Sequence, residues 1–311
     1  LIGATRVRAG MRLSPDRFRL LTAVISLAAP AVLVAIVVVL YQEAGPAITS
    51  FGARFLVTSS WNPVTANFGA LPFIYGTVVT SAIAIALALP VGIAVAMVLT
   101  EPGATGVRGA VGTGIELLAA IPSVVYGIWA LYVLAPFLYI HVEVPLSARL
   151  GWLGFLSGPP RQTSLFTASV VLTVMILPTL SAVSRDVIRA VPKGLRESSI
   201  ALGATWWETN RKVILPAARA GIFGATVLAL GRALGETIAV TMVIGNRPEI
   251  PASIFSPGYT LASVIANEFT EATGEIYPAA LLELGLVLIL VTFTVNAAAL
   301  LLVRRAASSR R

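Results

Sequence analysis

The sequence predicts an all-α integral membrane protein with six transmembrane helices and both termini in the cytoplasm. Three observations lead there. The apolar content is too high for a water-bounded core, six apolar runs reach membrane-spanning length, and lysine and arginine are distributed one-sidedly between the gaps.

Of 311 residues, 57% are hydrophobic and 12% charged, with a mean hydropathy of +0.89. Soluble domains carry about 45–50% apolar and about 25% charged residues. That excludes an ordinary soluble enzyme or DNA-binding domain, and equally a disordered chain. The implied solvent is a lipid bilayer. The net charge of +8 would suggest nucleic acid in a soluble protein. Here the basic residues cluster between apolar runs, which points to membrane orientation and no nucleic acid. With no cysteine and one histidine, His141, the chain offers no disulfide, thiolate metal site, histidine metal cluster or Ser-His triad.

The apolar runs are 20–41, 71–99, 111–140, 165–184, 220–245 and 279–303. A helix needs roughly 18–20 residues to cross about 30 Å of hydrocarbon, and each run is that long. The first run, with its long basic leader, reads as a retained helix rather than a signal peptide. With the N-terminus inside, 17 of the 22 lysines and arginines fall on cytoplasmic segments. Arg54, Arg149, Arg161 and Arg247 fall outside, and Arg232 lies within a span. Such a bias orients a multi-span chain. Pro90, Pro122 and Pro178 interrupt spans, as bundle architecture tolerates or a gating hinge requires. The outer loop 246–278 is broken by Pro248, Pro251, Pro257 and Gly258, with a short helix expected over 260–272.

The cytoplasmic loop about 185–219 is the most informative soluble piece. Pro192 suits a first helical turn, and Gly203 suits the left-handed position after a helix. Thr205 and Glu208 have the T-x-x-E spacing of a capping box, and Pro216 is expected to stop the second helix. Two short helices bent at Gly203 result, with Trp206, Trp207, Val213 and Ile214 as anchors. Four ionisable residues fall within the expected spans: Glu116, Arg232, Glu236 and Glu283. A charge at mid-span costs at least about 2.5–3.5 kcal/mol. Arg232 lies near the middle of the fifth span, and Glu236, four residues on, is expected on the same helix face. Two readings stay open: a self-neutralising buried pair, or a guanidinium that serves as transient counter-ion for an anion, its hold tuned by Glu236. Glu116 and Glu283 read as structural.

The loop spacing carries a resemblance. Glu197, Ser198 and Ser199, three residues, Gly203, nine residues, then Val213, Ile214, Leu215 and Pro216 resembles the EAA loop of ABC importer permeases, E-A-A, three, G, nine, I-x-L-P. Serines replace both alanines and valine replaces isoleucine. The segments at 68–101, 116–136, 175–205 and 231–246 look like the phosphate-specific ABC permease family, and ALPFIYGT and IPSVVYG look most like its PstC-type subunit rather than PstA.

The resemblance implies a type I importer permease fold and a function as half of an inorganic phosphate pathway. On it, 1–70 holds the basic segment, first span and outer loop, 71–303 the permease domain with its coupling loop about 190–218, and 304–311 a basic tail. The implied partners are a PstA-type permease, two PstB-type ATPase subunits, a PstS-type phosphate-binding protein and membrane lipid, in a bacterial inner membrane. Functional Arg and Glu positions map onto Arg232 and Glu236. The ATPase contact maps onto Glu197, Ser198, Ser199, Gly203, Leu215 and Pro216. The chain has no G-x-x-x-x-G-K-[ST], and its only lysines, Lys193 and Lys212, lack that context. It is therefore expected to be no enzyme and to hold no cofactor, ATP and Mg belonging to the partner ATPase. A permease for molybdate, sulfate or phosphonate is the alternative. Trp61, Asn62 and Pro63, with 246–278, are expected to meet the binding protein.

Overall fold

The computed structural model describes residues 15–100 and 105–308. Arg6, Arg8, Arg12, Arg310 and Arg311, part of the expected inward charge, lie outside the described residues. The described regular structure is helical. Helices α1 (Pro15–Glu43) and α2 (Gly45–Phe51) are followed by α3 (Leu71–Thr100) and α4 (Thr105–Ala120). Helices α5 (Ser123–Leu150) and α6 (Leu165–Ala190) precede α7 (Lys193–Ala201) and α8 (Trp206–Gly235). The chain ends with α9 (Ile238–Val243), α10 (Leu261–Glu268) and α11 (Ile276–Ser308). Six of these, α1, α3, α5, α6, α8 and α11, are long and apolar enough to cross a membrane.

The bundle is built around α6, which packs against α3, α5 and α8. Over half of its most apolar stretch is buried, whereas none of that in α1 is. Close approach depends on small side chains: Ala84 and Ala88 of α3 and Ala225 and Ala229 of α8 are fully buried beside Leu172, Ile176 and Leu180 of α6. In lipid there is no hydrophobic drive between helices, so such stripes supply the packing contacts. An aromatic cluster closes one end of the bundle. Trp61 stands edge-on to Phe68 and Phe73, with centroids 4.8 and 4.9 Å away. Its Nε1 and the Tyr277 hydroxyl both donate to Glu268 Oε2, at 2.8 and 2.7 Å.

Three prolines are absorbed by a common device. Pro136, Pro145 and Pro216 each follow a π turn by two residues, the turns being Ala130–Leu134, Tyr139–Glu143 and Asn210–Ile214. A proline has no N–H, and its ring collides with the carbonyl four residues back. A wider turn relieves that collision without ending the helix. Pro216 therefore does not stop the second loop helix, contrary to expectation; α8 runs through it into the bilayer.

Two span boundaries also differ from the sequence reading. The expected third run, 111–140, is cut at Pro122, whose backbone is extended (φ −61°, ψ 146°). A residue preceding proline avoids the helical region, so α4 ends at Ala120 and Glu116 lies on α4, outside the spans. Tyr126 bridges the cut by donating to the Leu118 carbonyl at 2.7 Å. Helix α5 then continues to Leu150, which brings Glu143 into it. The expected fifth run ends at Gly235 instead of continuing to 245.

Gly76 is required by close approach, since a Cβ there would overlap the Tyr259 backbone carbonyl. Gly76→Val is expected to cost ~1–3 kcal/mol through overpacking, lowering the thermal midpoint of the detergent-purified protein. Gly114→Ala, where a Cβ meets nothing within 4 Å, should leave the midpoint unchanged or raise it. Equal midpoints for both variants would contradict this packing.

Candidate functional site

The GRALGET segment, 231–237, forms a break rather than a continuous helix. Glu236 is extended (φ −70°, ψ 128°), and its N–H reaches the Ala233 carbonyl at 3.4 Å. The Thr237 hydroxyl donates to the Gly235 carbonyl at 3.2 Å, and α9 begins one residue later. Arg232 thus occupies the last turn of α8, not mid-helix, and Glu236 lies beyond that helix, not on its face.

Each charge sits where a helix end favours its sign. Glu236 lies just before the positive end of α9, within electrostatic range of the Thr237 and Ala239 backbone, while Arg232 lies at the negative end of α8. The self-neutralising pair, one of the two readings left open, is not formed. Among the described residues the ion pairs are Arg185–Asp186 and Lys212–Glu208. Arg232 instead donates from Nη1 to Thr179 Oγ1 of α6 at 3.4 Å. It lies within electrostatic range of Tyr126 and Glu236, and it is exposed. The result is a fork of charged donors on an open face of the bundle, with a carboxylate nearby but not in contact. A cavity of about 270 Å³ close by is lined by Leu118, Ile121, Val125, Tyr126, Trp129 and Val174. That wall is apolar, so anion-binding chemistry is confined to the guanidinium side.

Two further carboxylates are buried in spans. Glu143, which sequence reasoning placed outside them, is fully buried, and its Oε1 accepts from Ser164 Oγ at 2.9 Å and Thr167 Oγ1 at 3.0 Å. Ser164 is the N-cap of α6, so this carboxylate sits at the positive end of the central helix and latches α5 to it. The apolar Val142 and Val144 around it were the available sign that the span continues. Glu283 on α11 is also buried, with no hydrogen-bond partner for Oε2. Neither pairs with Arg232 among the described residues.

The loop is built as its spacing predicts. Pro192 stands one position earlier than expected, as the residue preceding α7. Gly203 adopts φ +85°, and its N–H closes on the Ile200 carbonyl at 2.9 Å. Both halves of the Thr205–Glu208 capping box are present, so the chain turns sharply into α8. Ser199 shares a hydrogen bond with Thr209 at 3.0 Å, tying α7 to α8, whereas Glu197, Ser198 and Gly203 are exposed. Leu215 is half-buried and Pro216 exposed, beneath a seam where Ile214, Ala218 and Trp206 pack on Ala96, Met97 and Ile188. Of the two tryptophans, only Trp206 anchors; Trp207 is exposed. Arg189 donates to the Leu99 carbonyl at 3.2 Å, joining the ends of α6 and α3. A cleft of about 250 Å³ is lined by Arg189, Lys193, Arg196 and Glu197 among others. Sequence reasoning did not single out the exposed apolar residues Leu195, Ile200 and Leu202, the last 89% exposed. The loop is thus bent and charged, with Leu195 and Leu202 uncovered.

Known proteins share this architecture. The family model for the binding-protein-dependent transport system inner membrane component matches residues 88–308. A phosphate transport system permease protein PstC from Mesorhizobium japonicum is 49% identical over 265 residues, covering 84% of this chain and 81% of that protein. Its namesake from Haemophilus influenzae is 43% identical over 279 residues, covering 88% of each. Among solved structures, an inward-facing MetNI methionine ABC transporter matches with a TM-score of 0.55 at 19% identity, covering 75% of this chain and 94% of that one. That likeness shows the fold, an ABC importer permease fold. The chain therefore belongs to the family of binding-protein-dependent transport system inner membrane components, and within it to the PstC permeases.

Proposed function

We propose that this chain is the transmembrane permease subunit of an ATP-driven importer of inorganic phosphate, forming half of the translocation pathway. The observation that carries the reading is Arg232: an exposed guanidinium at a helix break in a chain whose surroundings are hydrocarbon. Left facing lipid, it would cost at least about 2.5–3.5 kcal/mol. A second, PstA-type permease closing over that face turns the exposed side into an internal, wet pathway. The planar fork of Arg232 suits two phosphate oxygens at once. Glu236, near but not paired, lowers the local positive potential so that the ion is released rather than trapped. The names of the relatives supply the phosphate assignment, and the donor set agrees with it chemically.

Drive comes from below. Two PstB-type ATPase subunits grip the loop from Glu197 to Pro216, centred on Gly203, and supply the ATP and Mg chemistry. Because α8 is continuous from Trp206 to Gly235, a displacement of the loop is delivered along one rod to the turn that carries Arg232. ATP binding moves the rod and opens the pathway outward, a PstS-type protein releases phosphate into it, and hydrolysis resets the chain. The outer surface near Trp61, Asn62 and Pro63 and the 246–278 loop receive the binding protein. Both termini are cytoplasmic, in a bacterial inner membrane.

Three measurements test this. Arg232→Leu should abolish phosphate uptake by the reconstituted complex while its subunits still co-elute; normal uptake would remove Arg232 from the pathway. Gly203→Val forces a β-branched residue into a left-handed conformation costing roughly 1–2 kcal/mol, and should uncouple ATP hydrolysis from uptake. Gly203→Asn, which tolerates that conformation, should remain coupled, and coupling in both variants would count against docking at this bend. Because the chain has no cysteine, single replacements report sidedness cleanly. Val64→Cys, at a position 94% exposed, should react with an impermeant maleimide on intact cells, and Leu202→Cys only after lysis. The opposite pattern would invert the orientation.

A further inference from the structure

We propose that Thr179 is a second anion-contacting residue: its hydroxyl donates to a tetrahedral oxyanion held by the Arg232 guanidinium, so that the two side chains form one seat. The inference rests on the pathway reading of Arg232 and adds to it a neutral donor from a different helix.

A hydroxyl inside an apolar helix ordinarily spends its proton on its own backbone, because an unspent donor away from water is costly. Most hydroxyls of α3, α6, α8 and α9 follow that habit, whereas Ser81 of α3 and Ser184 of α6 are buried with no partner among the described residues. Thr77, Thr80, Ser169, Thr173, Ser181, Thr226 and Thr241 each donate to the carbonyl four residues earlier, at 2.7 to 2.9 Å. Thr179, directly after Pro178 in α6, also departs from it, and does so beside a charged group. Its hydrogen bond among the described residues is the one it accepts from Arg232 Nη1 at 3.4 Å. A hydroxyl has one proton to give and two lone pairs, so Thr179 keeps its donor uncommitted beside a charged fork.

The other groups around the guanidinium cannot take that part. Tyr126 has spent its proton on the Leu118 carbonyl and can only accept. Glu236 offers a carboxylate, which when ionised has only acceptors to give. An anion seated on Arg232 therefore finds its neutral donor in Thr179. The long guanidinium-to-hydroxyl contact is easily exchanged for one in which both groups face a common oxyanion. Because Thr179 belongs to α6 and Arg232 to α8, the seat exists only while those helices keep this register, and a rotation of α8 relative to α6 dissolves it.

The test uses the assembled transporter in proteoliposomes, with radiolabelled inorganic phosphate at a subsaturating concentration. Thr179→Val keeps shape and removes the hydroxyl. It should lower uptake roughly ten- to one-hundred-fold, the worth of a hydrogen bond to a charged group, with subunit co-elution unchanged. Thr179→Ser restores the donor and should transport close to wild type. Wild-type uptake by Thr179→Val alongside an inactive Arg232→Leu overturns the seat and leaves the pathway reading standing; wild-type uptake by both overturns both. Equal impairment of the serine and valine variants assigns Thr179 to packing and overturns the proposal. Should the valine variant fail to assemble, Thr179→Ala and Thr179→Ser are compared instead, and equal uptake by that pair overturns it.

Discussion

An arginine in a membrane helix with no carboxylate in contact is the constraint from which the rest of the structure can be read. Burying it against Glu236 would cancel the cost locally, and four residues of continuous helix would have placed the two side chains within reach. The break at Gly235–Thr237 prevents that. It places Glu236 beyond α8, before the start of α9, and leaves the guanidinium on Thr179. The stabilisation a salt bridge would have supplied comes partly from two helix ends instead, and those ends do not compete with a passing anion for the arginine's donors. On the proposed pathway role, a site that must load and unload would gain from that arrangement, because a fully satisfied pair would have to be opened on every cycle.

Much of this architecture was legible in the sequence, and the failures have a common cause. Helix number, the bend at Gly203 and the Thr205–Glu208 cap depend on local rules: length against bilayer thickness, the steric freedom of glycine, a hydroxyl three residues before an acid. The errors fell where a local rule has two outcomes. Proline ended a helix at Pro122 but was absorbed at Pro136, Pro145 and Pro216 by π turns, and only the surrounding packing selects between them. The flanking Val142 and Val144 hinted that the third span runs over Glu143, but the latch that makes its burial tolerable is formed by Ser164 and Thr167, which lie outside that helix and were not visible locally. In the same way Arg232 stood out as a charge in an apolar run, while Thr179 had no mark of its own. Its significance lies in a bond it does not make to its own helix, and that is a property of the assembled fold.

Continuity of α8 links the two halves of the site. Had Pro216 stopped the loop helix, motion beneath the membrane would reach Arg232 through a flexible joint and be dissipated there. The π turn at Asn210–Ile214 keeps the rod intact, and the seam of Ile214, Ala218 and Trp206 against α3 and α6 gives it a bearing surface of interdigitated side chains. At the far end the rod terminates at the break, and α9 beyond it is held separately: Gly127 of α5 lies so close that a Cβ there would meet Met242 and Ala239 of α9, and the Ser164 N–H donates to the Val243 carbonyl at 3.1 Å. The boundary between the moving piece and the fixed piece thus runs through Gly235, Glu236 and Thr237. Displacement of α8 changes the distance from Arg232 to Glu236 and from Arg232 to Thr179 together, because one partner sits on the far side of the break and the other on the central helix. If Arg232 seats an anion and a partner ATPase grips the loop, the affinity of that seat is in this way a function of loop position, and the energy of a remote nucleotide would reach the ion as a change in which groups the guanidinium can touch.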